Sequence, residues 1–156
     1  MKNLILLVTI AVACVLSGCA RTEGVVRVNM DADGRAVRGY DVVSFFAENA
    51  AIQGKPQIEY VWNGAKWLFS TEENLEKFRA EPERYAPQFG GYCSYAVSHG
   101  YTADGDPATW KVVDGKLYLN YNQKAKEAWE KEQEKFIKDG EHNWQEFQSK
   151  RPEHKG

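Results

Sequence analysis

Cysteine and histidine, three of each, are the residues through which this sequence could do chemistry. Cys93 and His99 stand together in Tyr92-Cys93-Ser94-Tyr95-Ala96-Val97-Ser98-His99-Gly100. A soft thiolate beside an imidazole suits copper(I) or zinc, which makes this pair the candidate metal site. On one unbroken α-helix their spacing is about 600°, leaving the side chains about 120° apart, so joint coordination needs the segment to break. The competing reading makes Cys93 a small buried hydrophobe. His99 is then a helix C-terminal residue before Gly100, where the helix dipole favours its charged form. His142, in the polar stretch Gly140-Glu141-His142-Asn143, and Met30 are further candidate ligands, while His154 lies in the polar tail. A thiol nucleophile needs a base beside it, and no nucleophile signature surrounds Cys93. Phosphate loops, dinucleotide fingerprints, serine elbows and paired-cysteine zinc motifs are absent, so no catalytic residue is expected and the protein is read as a non-enzyme. Asn29, Asp31, Asp33 and Gly34 match the first positions of a calcium loop, but Tyr40 occupies the place of its bidentate Glu, leaving a polar turn.

The second cysteine of interest is Cys19. Met1-Lys2-Asn3 is a short positive start, followed by an apolar run from Leu4 to Leu16 broken only by Thr9. That run falls short of the roughly 20 residues a membrane-spanning helix needs and fits the core of a secretory signal peptide, residues 1–18. Leu16-Ser17-Gly18-Cys19 resembles a bacterial lipobox, making Cys19 the lipidation site and the membrane a partner through a lipid anchor. Ala20, which is not Asp, favours the outer membrane by resemblance to enterobacterial sorting, so the expected place is the cell envelope, facing the periplasm. Cys14 leaves with the signal peptide and Cys19 takes the lipid. Cys93 is then the one thiol left, and the domain holds together without an internal disulfide. A formal net charge of −2 and a pI near 6.0 lack the basic excess that phosphate neutralisation needs, which excludes nucleic acid as a partner.

These residues must be positioned by a single small domain. Residues 19–36 read as lipidated N-terminus, tether and a short strand at Val25, Val26 and Val28, followed by the turn Asp31-Ala32-Asp33-Gly34. Asp41 can cap a helix through Val42, Val43, Phe45 and Phe46. Ile58 to Trp62 and Lys66 to Phe69 form a hairpin around Asn63-Gly64, and Trp110 to Val113 and Lys116 to Tyr121 form another around Asp114-Gly115. In the latter, Leu117 and Leu119 alternate with Tyr118 and Asn120, as in a half-buried strand. Ser70-Thr71-Glu72-Glu73 is a capping box for a helix carrying Leu75 and Phe78 and ending near Pro82. Gln123 to Lys138 is a helix with an apolar stripe of Ala125, Ala128, Trp129, Phe136 and Ile137, stopped by Gly140, after which Trp144 and Phe147 pin a last turn. Two β-hairpins interleaved with helices make an α+β domain over residues 37–149, with a polar tail over 150–156.

Gly39-Tyr40-Asp41-Val42-Val43-Ser44-Phe45-Phe46, Trp67-Leu68-Phe69-Ser70-Thr71-Glu72-Glu73-Asn74-Leu75-Glu76-Lys77-Phe78 and Pro82-Glu83-Arg84-Tyr85-Ala86-Pro87 resemble a YHS domain. Gly90 to Val97 and Val113 to Tyr121 resemble its longer stand-alone bacterial subfamily. The resemblance implies a small α+β module related to heavy-metal-associated domains found beside copper-transporting ATPases, whose proposed metal site is carried by cysteines. Those relatives' paired helix cysteines fall at Ser70 and Asn74, neither of which is a thiol, and Cys93 lies outside the small core motif. Two functions follow as expectations. One is a membrane-tethered lipoprotein binding or delivering a soft metal ion such as copper, through Cys93 with His99. The other is a non-catalytic scaffold that docks a protein or small ligand on an aromatic surface, with Cys93 structural.

Overall fold

Asn63-Gly64 and Asp114-Gly115 close β-hairpins because both pairs adopt the left-handed backbone that a tight two-residue turn requires. The computed structural model describes residues 27–149. In it Asn63 and Gly64 take φ of 49° and 74°, and Asp114 and Gly115 take 49° and 73°. The first hairpin joins β1 (Lys55–Trp62) to β2 (Ala65–Phe69), and the second joins β3 (Asp106–Val113) to β4 (Lys116–Asn120), both antiparallel. Six α-helices complete the described chain: α1 (Ser44–Ala47), α2 (Glu72–Ala80), α3 (Pro82–Tyr85), α4 (Ser94–Ser98), α5 (Gln123–Lys131) and α6 (Gln133–Ser149). This is the α+β arrangement the sequence pattern predicts. No helix among the described residues is long and apolar enough to cross a membrane. The expected signal segment, Val25, Val26, the lipidation candidate Cys19 and His154 lie outside the described residues, and Val28 belongs to no strand.

β4 separates two hydrophobic clusters. Leu117 and Leu119 point into the one built from Phe45, Trp67, Phe69 and Phe78. Tyr118, one residue out of phase, enters the one built from Phe89, Val97, Trp129 and Phe136. The period-two pattern is present, but both faces are covered, and Leu117 to Asn120 are each at most 1% exposed. This corrects the half-buried reading, since α5 and α6 cover the face that carries Tyr118.

Three local expectations shift for reasons of packing. The N-cap of α2 is Thr71, whose hydroxyl accepts from the Asn74 N–H at 3.1 Å, rather than Ser70. Ser70 is committed elsewhere. The long C-terminal helix is broken at Glu132 (φ −132°, ψ 45°) and then runs through Gly140 to Ser149. Gly140 does not stop it. That glycine is buried against Phe89, whose Cζ would stand 2.7 Å from an added Cβ, so its absent side chain admits the ring. Trp144 and Phe147 ride on the same helix, Trp144 tilted against Phe89 and Tyr92 with centroids 6.2 and 6.0 Å away.

Candidate functional site

Cys93 is not helical. It precedes α4 with φ −59° and ψ 117°, held by its N–H donating to the Ala103 carbonyl at 2.8 Å and by a parallel bridge to Leu119. The 120° offset expected of an unbroken helix therefore does not apply. The side chains nonetheless go to different surroundings. The Cys93 thiol, in a residue only 1% exposed, donates to the Asn120 side-chain carbonyl at 3.8 Å, which also accepts from the Tyr95 N–H at 3.1 Å. It forms part of a cavity of about 380 Å³ with Tyr95, Tyr101, Tyr121 and Ala125, and His99 is not among the lining residues.

His99 caps the other end of α4. Its Nδ1 stands 2.7 Å from the Tyr95 carbonyl, an atom that can only accept, so Nδ1 carries the proton. The ring lies on Tyr95 and Phe136, with centroids 4.3 and 5.3 Å away. The other candidate ligands are dispersed as well: the His142 side chain is 76% exposed and 3.8 Å from Glu146, and Met30 is 47% exposed. Among the described residues no group of three or more His, Cys, Asp or Glu side chains is arranged to hold a metal ion. The Asn29–Gly34 segment is the polar turn its sequence suggests. Asp31 and Asp33 both pair with the Arg35 guanidinium, at 2.8 and 2.7 Å. Burial raises the Asp31 pKa, but hydrogen bonds from Arg35 and Asp33 outweigh it and hold the carboxyl below its ordinary range.

Asp41 does not cap a helix running through Val42 and Val43 as the sequence suggests: α1 begins only at Ser44, with Val43 at its N-cap position and no side-chain cap. The Asp41 carboxylate is fully buried. One oxygen accepts from the Val43 N–H at 2.9 Å. The other accepts from the Ser70 N–H, the Ser70 hydroxyl and the Asn74 amide at 2.9, 2.6 and 2.8 Å. Ser44 extends this network, its single hydroxyl proton shared between the Asp41 and Ala50 carbonyls, 2.7 and 2.8 Å from Oγ, while Oγ accepts from the Ile52 N–H. A buried anion satisfied by neutral donors alone thereby ties the start of α1 to the end of β2 and the first turn of α2. Ser70 and Asn74, the positions that the family resemblance gives to cysteines in metal-handling relatives, are both spent on this carboxylate.

A second aromatic-lined recess is a cleft of about 450 Å³ between the first hairpin, the turn after α3 and helix α6. Trp62 and Trp67 enter from the hairpin, their rings 5.7 Å apart and inclined at 61°. Phe89 and Trp144 come from the turn and from α6. Trp67 is fixed by its indole N–H donating to the Trp62 carbonyl at 3.0 Å, while Trp62 and Trp144 are only partly buried. The turn itself is left-handed over three residues, with φ of 54°, 60° and 83° at Phe89, Gly90 and Gly91. For Phe89 that conformation costs about 1–2 kcal/mol, and the contact with Gly140 and Trp144 holds it. Sequence reasoning anticipated an aromatic surface from the abundance of aromatics without locating it, because the cleft unites side chains far apart in the chain.

The fold and these sites describe a small α+β domain in which two hairpins and short helices surround a buried carboxylate hub. Residues 45–89 match the family model of the YHS domain, so the chain carries a YHS domain spanning α1, the first hairpin, α2 and α3. No curated protein and no solved structure shows significant similarity to the chain. Cys93, His99 and the second hairpin lie beyond the matched segment, and the aromatic cleft sits on the seam between that segment and α6.

Proposed function

We propose that this chain is a lipid-tethered, non-catalytic binding module of the bacterial cell envelope, anchored through Cys19 in the outer membrane and facing the periplasm. It receives a ligand or partner in the cleft of Trp62, Trp67, Phe89 and Trp144. The observation that carries this reading is the cleft itself, two tryptophans of which keep solvent-reachable faces although large aromatics are ordinarily buried when they serve only as core. Metal handling is the second reading. It is favoured by the YHS match and by the Cys93 thiol lining a cavity, and it needs a ligand besides Cys93. In its disfavour, the hub formed by Asp41, Ser70 and Asn74 fills the positions where the resemblance puts cysteines.

Copper(I) titration under reducing conditions separates the two. Wild type and Cys93→Ser are expected to take up equal copper, with no one-to-one complex in either. A stoichiometric complex formed by wild type and lost in Cys93→Ser would overturn the binding-module reading in favour of metal handling.

A further inference from the structure

The electrostatics of the aromatic cleft specify its ligand further than its shape does. Its charged lining residues are Glu83 and Glu141, and no Lys, Arg or His contributes to it. Glu83, exposed on α3, forms no ion pair among the described residues, and its neighbour Arg84 pairs instead with Glu81 at 3.0 Å. Glu141 is about half exposed and meets Lys116 at 3.3 Å, a pair open to water and therefore weakly held. The remaining polar lining is uncharged: Asn63, Gln88 and Gln145. Aromatic faces carry negative quadrupole potential and attract cations, most strongly at tryptophan. Three indoles and a phenyl ring beside two carboxylates therefore sum to a negative, partly apolar recess, which disfavours anions and gives an apolar cation a gain over a neutral ligand of equal size.

We infer that the cleft of Trp62, Trp67, Phe89 and Trp144, with Glu83 and Glu141, is a binding site for a small organic cation of the alkylammonium class. This inference rests on the binding-module reading and adds the charge of the ligand. The ammonium group sits against the accessible indole faces of Trp62 and Trp144, and Glu83 supplies the counter-charge. A strongly hydrated ion such as Na⁺ would lose its water without recovering it from carbon surfaces, whereas an alkylammonium ion sheds little hydration there.

The probe is choline, compared with its uncharged carbon isostere dimethylbutanol and read on the five tryptophan indole N–H resonances of the purified full chain. Choline is expected to shift Trp62, Trp67 and Trp144 and to leave Trp110 and Trp129 in place. The isostere is expected to bind about fivefold to thirtyfold more weakly, the range of a partly desolvated cation–π contact. Raising ionic strength from about 0.01 to about 0.15 M, which shortens the screening length from about 30 to about 8 Å, weakens choline and not the isostere. Trp144→Leu should reduce choline affinity. Glu83→Gln should do so too without disturbing the fold, because Glu83 is exposed. Equal affinity for choline and its isostere would overturn the charge argument and leave the cleft as a neutral aromatic site. No shift at the three cleft indoles with millimolar choline would overturn the inference as well. Binding of either probe that survives replacement of both Trp62 and Trp144 would instead overturn the cleft reading on which it rests.

Discussion

At the scale of single residues, Asp41 joins more of the fold than any candidate ligand does. Four neutral donors converge on its carboxylate from three segments of the chain, and each is buried or partly buried with it. Replacing Asp41 with Asn keeps the shape but removes the charge and turns an amide N–H₂ toward groups that are themselves donors. Hydrogen bonds to a charged group contribute about 1.5–3 kcal/mol, and an unsatisfied buried donor costs about 1–3 kcal/mol. Asp41→Asn is therefore expected to lower unfolding free energy by about 2–4 kcal/mol in denaturant titration, while Ser70→Ala, which removes one donor, costs less. An Asp41→Asn variant as stable as wild type would show that the hub contributes nothing. Little of this hub was legible beforehand. The Asp41-Val42-Val43 run suggested a helix cap, but α1 begins at Ser44 without a side-chain cap and Asp41 instead closes a two-residue turn onto the Val43 N–H. The bonds to Ser70 and Asn74 span about thirty residues and leave no local pattern.

At the scale of elements, β4 illustrates how burial alters chemistry. Tyr118 sits between the second hydrophobic cluster and the carboxylates of Glu141 and Asp114. Burial first, and those charges second, push its phenol up from 10.0 to about 12. In the unfolded chain the phenol loses its proton near pH 10, whereas in the fold it keeps it to about pH 12. Between those values the native state binds more protons than the unfolded state, so stability falls as pH rises, and below pH 10 the contribution is intact. Two units correspond to a loss of at most on the order of 2–3 kcal/mol. Denaturation midpoints measured across this window should drop less steeply in Tyr118→Phe than in wild type, and parallel curves would contradict the assignment.

Elements also show which parts of a fold a sequence can declare. Both hairpins were readable because Asn63-Gly64 and Asp114-Gly115 determine backbone geometry locally. The course of α6 was not. Gly140 looks like a helix stop, and only the ring of Phe89, packed on it from a distant turn, explains a glycine in mid-helix. Likewise Thr71 caps α2 because Asp41 engages Ser70. Cys93 leaves the helix because Ala103 and Leu119 hold its backbone in an extended bridge.

At the scale of the whole molecule, the residues with the most reactive chemistry belong to the framework, and a cleft of about 450 Å³ is lined by tryptophans. Cys93 lies behind β4 and α4 with its thiol on Asn120. His99 is stacked between Tyr95 and Phe136. The aromatic cleft occupies the seam where the YHS segment meets α6. The placement of Cys93 in the framework is tested most directly by the rate at which its thiol reacts with a thiol reagent, in a chain whose Cys14 and Cys19 are replaced by serine. A packed thiol reacts through opening of the fold, so the native chain should react at least on the order of a hundredfold more slowly than the chain in denaturant. A native Cys93 reacting as fast as in the unfolded chain would contradict that placement and return the thiol to the list of working groups.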